Sequence, residues 1–169
     1  MKSIYRPLLV LVAVLALSCT APPEEAPVID LAAEVAAATV VVNQFGQMWE
    51  SEDMSLVDRI FTQGSDLMVF GTDAAEIWVG FDTFKTSLED QFVAYEDTEV
   101  TTRDQVVSVH PSGETAWFRE LADWHVTVEG ERAEVNGLRV TGVLEKRNGA
   151  WTIVQMHVSV PVSGQVVAY

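Results

Sequence analysis

The chain has 169 residues, 49% of them apolar, and carries 10 Lys and Arg against 25 Asp and Glu, a net charge of −15. That is one domain's worth of chain with enough apolar content for a core. It is too acidic, and its basic residues too scattered, for a nucleic-acid binder. The apolar content equally excludes a disordered acidic tail, and a single Cys excludes an internal disulfide framework or a Cys-based zinc site.

Residues 1–18 form the first predicted segment. Lys2 and Arg6 precede an unbroken apolar run from Leu8 to Leu17. That run is shorter than the ~20 residues a spanning helix needs and suits a signal peptide. The run ends in Leu15-Ala16-Leu17-Ser18-Cys19, which resembles a bacterial lipobox. The resemblance implies cleavage before Cys19 and lipidation of that residue. Thr20 in place of Asp resembles the outer-membrane sorting pattern. Residues 19–29 then read as a Pro- and Glu-rich tether. Loss of the leader leaves eight basic residues against the same 25 acidic ones, so the working domain is more acidic than the whole chain. An anionic lipid surface would repel it. The expected location is the cell envelope, outer membrane or periplasmic face, held by lipid alone.

The domain proper is predicted over residues 30–161, with a C-terminal tail at 162–169. Asp30 is a candidate N-cap, and Leu31, Val35, Ala38, Val42, Phe45 and Trp49 follow helical spacing. Asp53 can cap a short second helix carrying Leu56, Val57, Ile60 and Phe61. Leu67 to Phe70 and Glu76 to Val79 read as a strand pair around Gly71-Thr72-Asp73. Helical spacing returns from Gly80 through Phe81, Phe84, Leu88, Phe92 and Tyr95. The period then changes to two. Strands are expected at Val100–His110, Ala116–Val128, Glu134–Arg147 and Trp151–Pro161, the last two joined by an Asn148-Gly149 hairpin turn. Segregated helices and strands give an α+β class: a cone-shaped, curved antiparallel sheet wrapped on about three helices.

Phe70-Gly71-Thr72-Asp73, Trp78-Val79-Gly80, the Thr141–Trp151 segment and His157-Val158-Ser159-Val160-Pro161 together resemble a SnoaL-like domain. That family lies in the nuclear transport factor 2-like, ketosteroid-isomerase-like superfamily. The resemblance implies a cone with a pocket between sheet and helices, and a homodimer through the sheet. It does not imply one function. The isomerase branch uses a carboxylate base on the first short strand and a Tyr donor on the first helix. Those positions fall at or near Gly71 and Phe45, and neither side chain can do that chemistry.

Other candidates remain. His157, or Asp123 with His125 on one strand face that Arg119 shares, could carry protons. With a two-residue turn, Val140 is expected to face His157 and Arg139 to face Val158, which puts Arg139 and Thr141 on the face of Met156 and Val158. An Arg in an apolar cavity needs a carboxylate, from a ligand or from Glu76 or Glu120. Arg139 is therefore a candidate ligand anchor, with Trp49, Phe70, Trp78, Trp117, Trp124, Met156 and Thr141 as candidate walls. A β-bulge would change these partners. No metal-ligand spacing, Gly-rich phosphate loop or cofactor motif is present in the sequence. The expected function is binding of an unknown small organic molecule without turnover. The alternatives are an acid–base isomerase, dehydratase or lyase, and a non-catalytic dimeric adaptor.

Overall fold

Asp30 opens helix α1 (Leu31–Ser51) by accepting hydrogen bonds at Oδ1 from the N–H groups of Ala32 and Ala33, both at 3.1 Å. The computed structural model describes residues 28–165 and 167. The predicted leader, Cys19 and most of the tether lie outside the described residues. Helix α1 ends at Glu52 in the left-handed region, and Asp53 at once caps α2 (Met54–Ile60) through the Ser55 N–H at 2.8 Å. Strands β1 (Met68–Phe70) and β2 (Ile77–Val79) form a hairpin, and α3 (Phe81–Ala94) follows from Gly80. Gly80 has φ +88°, a conformation that costs glycine nothing.

Four long strands complete the chain: β3 (Tyr95–Val109), β4 (Thr115–Val128), β5 (Glu131–Arg147) and β6 (Ala150–Ser159). Strand β3 starts directly at the end of α3, five residues earlier than the period change suggests. Tyr95, expected on the helix face, is therefore the first strand residue. The sheet order is β2-β1-β6-β5-β4-β3. It is mixed rather than antiparallel, because β1 pairs parallel with β6, Val69 beside Met156. Strand β1 has only three residues, and so short a run carries no pairing information in its own pattern.

Register shifts bend the sheet around the helices. They fall in β3 at Glu96/Glu99 and Arg103/Val106, in β4 at Ala122/Trp124, and between β5 and β6 at Val143/Leu144. Asp97 and Asp104 adopt positive φ within the first two, as an extra residue in a bulge does. The last shift corrects the predicted register. The Asn148-Gly149 turn pairs Arg147 with Ala150 as expected, and that pairing holds to Leu144 with Ile153. Val154 is then an extra residue on β6. Beyond it Thr141 faces His157, Val140 faces Val158, and Arg139 faces Ser159. Arg139 and His157 therefore share a face.

The core lies between α1 and the concave side of the sheet. Ala38, Val42, Phe45, Met48 and Trp49 of α1 are buried, whereas Leu31, at the start of the predicted stripe, is exposed. Phe61 is buried between the rings of Phe45 and Phe84, at 6.5 and 4.9 Å between centroids. Polar contacts fix the far end of the β5–β6 hairpin. Glu34 accepts from Trp151 Nε1 at 3.0 Å and pairs with Lys146. Arg147 reaches Asp66 and Thr62, each at 2.6 Å, and Glu145 at 2.8 Å. These contacts hold the first turn of α1 and the loop before β1 against the hairpin, leaving the opposite end of the cone to open.

Candidate functional site

At that end, α1, α3, the β1–β2 hairpin and the concave sheet enclose a half-open cavity of about 90 Å³. At about 10–15 Å³ per water centre, it has room for several waters or one small ring. Helix α1 contributes Phe45 and Trp49, and α3 contributes Phe84 and Leu88. The sheet contributes Ala122, Trp124, Leu138, Val140 and Met156. Trp78 stands on β2 against Phe84, ring centroids 5.6 Å apart. Trp49, Tyr95 and Trp124 form a second aromatic group, with Trp49 and Trp124 centroids at 4.7 Å.

Polar groups border the more exposed side: Thr72, Glu76, Gln91 and Tyr95. The Tyr95 hydroxyl stands 3.4 Å from Gln91 Oε1. Burial chiefly, and then the negative charges of Glu76 and Asp73, push the Tyr95 phenol above its ordinary range, so it stays protonated. The indole N–H of Trp124 is buried and has no hydrogen-bond partner among the described residues.

Gly71 and Glu76 face each other across the hairpin, with the Gly71 N–H donating to the Glu76 carbonyl at 2.9 Å. A Cβ on residue 71 would lie 2.3 Å from Glu76 Oε2. The Glu76 carboxylate thus fills the space where a side chain at position 71 would begin. Thr72 Oγ1 and the Asp73 N–H hold it there, at 3.2 and 2.9 Å. In the sequence Glu76 stands out only as the start of a return strand or a partner for Arg139. The short hairpin loop, which sets residue 76 opposite residue 71, was the available signal.

Of the predicted site residues, Trp49, Trp78, Trp124 and Met156 line the cavity, while Phe70 only borders it, its half-exposed ring lying beside His157. Arg139 and Thr141 do not: both are exposed on the outer face, because the alternation of β5 turns Leu138, Val140 and Gly142 inward, and the Val154 bulge brings Met156 and Val158, not Arg139, onto that inner face. Arg139 has no salt bridge among the described residues. His157 is also exposed on that face, its ring edge-on to Phe70 at 5.7 Å. Trp117 is outside the cavity and about half exposed. Asp123 accepts from Arg103 Nη1 at 3.1 Å and from the Gly137 N–H at 2.7 Å. His125 Nε2 stands 3.1 Å from Asn136 Oδ1. Asp123 and His125 are thus bound to separate partners outside the cavity. Among the described residues, no cluster of His, Cys, Asp and Glu could hold a metal, and no helix is long and apolar enough to cross a membrane.

Glu120 has a different role from the one expected. It is 3% exposed and makes no salt bridge among the described residues. It accepts from Gln105 Nε2 at 2.8 Å, and Gln105 also donates to Asn43 of α1 at 2.9 Å. Burial pushes its carboxyl above the ordinary range, outweighing the Gln105 hydrogen bond. A raised folded-state pKa means that folding binds a proton. The stabilisation is therefore full below the unfolded pKa and is lost as pH rises through the folded one. Glu120→Gln keeps an acceptor for Gln105 and removes the ionisation. Urea unfolding is expected to show it more stable than the parent at pH 8, with the gap closing below pH ~4.5. A gap of the same size at both pH values would contradict the assignment.

The model for the SnoaL-like domain matches residues 39–163. The chain belongs to the SnoaL-like family. Its structural neighbours share the fold of this SnoaL-like domain at low identity. A nuclear transport factor 2-like superfamily protein from Salmonella enterica superimposes with TM-score 0.71 at 15% identity, covering 82% of this chain and 99% of that one. A candidate dehydratase of the same superfamily from Streptomyces avermitilis gives 0.68 at 15% identity, over 78% and 99%. A candidate scytalone dehydratase from Novosphingobium aromaticivorans gives 0.67 at 15% identity, over 81% and 91%. No curated protein shows significant similarity to the SnoaL-like domain described above.

Proposed function

We propose that this SnoaL-like domain is exported, anchored through a lipid on Cys19, and binds a small, largely apolar organic molecule in its cone without turning it over. The cavity carries the binding reading: apolar walls, a few polar groups at one side, and an opening to solvent, the usual composition of a small-molecule site. Against isomerase chemistry stand Gly71 and Phe45, where the family's base and phenol donor would be. His157 and the Asp123–His125 pair lie outside the cavity, so no acid–base role is proposed for them. Three of the five Trp residues line the cavity, so a bound aromatic should perturb intrinsic emission. Titration with neutral single-ring aromatics is the direct test.

The anchor rests on the sequence: a charged n-region, a ten-residue apolar run and the sole Cys at its end. The expressed full-length protein is expected to fractionate with membranes. Cys19→Ala is expected to move most of it to the soluble fraction after cleavage elsewhere, or to leave an uncleaved precursor visible by its mass. Lipid-modified protein in the Cys19→Ala variant, detected by acyl labelling, would contradict the assignment.

A further inference from the structure

The charge of the cavity is one-sided. Among the described residues no Lys, Arg or His lines it, while Glu76 places a carboxylate on its border. The Thr72 hydroxyl and Asp73 N–H that hold this carboxylate are both neutral, and Glu76 makes no salt bridge among the described residues. The Asp73 carboxylate lies close by in the chain, and after burial the charges of Glu76 and Asp73 both add to the upward shift of the Tyr95 phenol. The rings of Trp78, Tyr95 and Trp124 line the same cavity. Aromatic faces attract cations, Trp most strongly, and a carboxylate accepts its best hydrogen bonds from a charged donor.

We infer that the cavity selects a small organic ammonium, its apolar body among the aromatic walls and its charged head at Glu76. This rests on the cavity being a ligand site. An anion would meet the field of Glu76 and Asp73 with no counter-charge. A neutral ligand would leave the Glu76 carboxylate with only its two local hydrogen bonds. An ammonium supplies the charge partner that the site lacks and gains the attraction of the rings. The inference excludes the carboxylate-bearing ligand that Arg139 would have implied, since Arg139 is outside the cavity.

Benzylammonium, benzyl alcohol and benzoate share one ring and differ at the head group, so they test the inference by Trp emission titration of the mature domain. Benzylammonium is expected to bind at least about tenfold more tightly than benzyl alcohol, with benzoate weakest. Glu76→Gln should abolish the benzylammonium advantage over benzyl alcohol. Its side-chain oxygen can still accept from Thr72 and Asp73, which keeps the hairpin. If that variant fails to fold, salt decides on the parent protein. At about 1 M ionic strength, where screening acts within about 3 Å, benzylammonium binding should weaken and benzyl alcohol binding should not. Equal binding of the amine and the alcohol, unaffected by Glu76→Gln or by salt, would overturn the cation preference and leave the ligand site standing. Tightest binding of benzoate would overturn the sign of the selection. No effect of any of the three on emission would overturn the ligand site itself, and the inference with it.

Discussion

Phe61→Ala is expected to destabilise the domain by about 3–5 kcal/mol, the loss typical of a buried ring truncated in a rigid core. Phe61 is 1% exposed and packs edge-on between Phe45 of α1 and Phe84 of α3. Its backbone also bridges in parallel to Ile153 of β6, and the next residue, Thr62, donates its N–H to the Ile153 carbonyl at 3.0 Å. One side chain thus ties both long helices to the sheet, and neither helix can follow the other into the gap without leaving a strand. Urea unfolding should show the midpoint shift with little change in slope. A loss below about 1 kcal/mol would mean that the helices close over the gap and that Phe61 is no keystone.

Ala122→Phe is expected to lower affinity for any cavity ligand by about a hundredfold or more, with a far smaller effect on stability. Ala122 is 4% exposed and stands on the concave face of β4 among the cavity walls. A ring there extends into space that the fold leaves open, rather than into packed atoms. The strain of overpacking, about 1–3 kcal/mol in a filled core, is offset here by the extra apolar burial. Isothermal titration with a neutral aromatic that binds the parent protein checks the affinity, and urea unfolding checks the fold. A stable variant that binds as well as the parent would place the ligand elsewhere.

Much of this architecture is legible in the sequence because local physics determines it. Asp30 and Asp53 cap helices where their short carboxylates reach free N–H groups. Asn148-Gly149 supplies the two positive-φ residues that a tight hairpin needs, Asn148 at 54° and Gly149 at 81°. What is illegible depends on contacts distant along the chain. The parallel pairing of β1 with β6 joins residues some 87 positions apart, Met68 with Gln155. The extra residue at Val154 shows only as two consecutive apolar residues, Ile153-Val154, between polar Thr152 and Gln155, and its consequence appears only in the pairing with β5, where Met156 and Val158 rather than His157 join the face of Val140 and Gly142. The walls contributed by Trp49, Trp78 and Met156 could be read from their elements. The Glu76 carboxylate could not, since its importance arises from the absence of a side chain at Gly71. A missing side chain has no periodicity.

The measurement that tests the central claim most directly is a Trp emission titration with a neutral single-ring aromatic, run in parallel on the parent domain and on Ala122→Phe. Trp49, Trp78 and Trp124 report on the cavity, whereas Trp117 and Trp151 lie outside it. A saturable change in the parent, absent from a folded Ala122→Phe, is the predicted result. No change in the parent, or an equal change in both proteins, would contradict the reading of the cone as a ligand site.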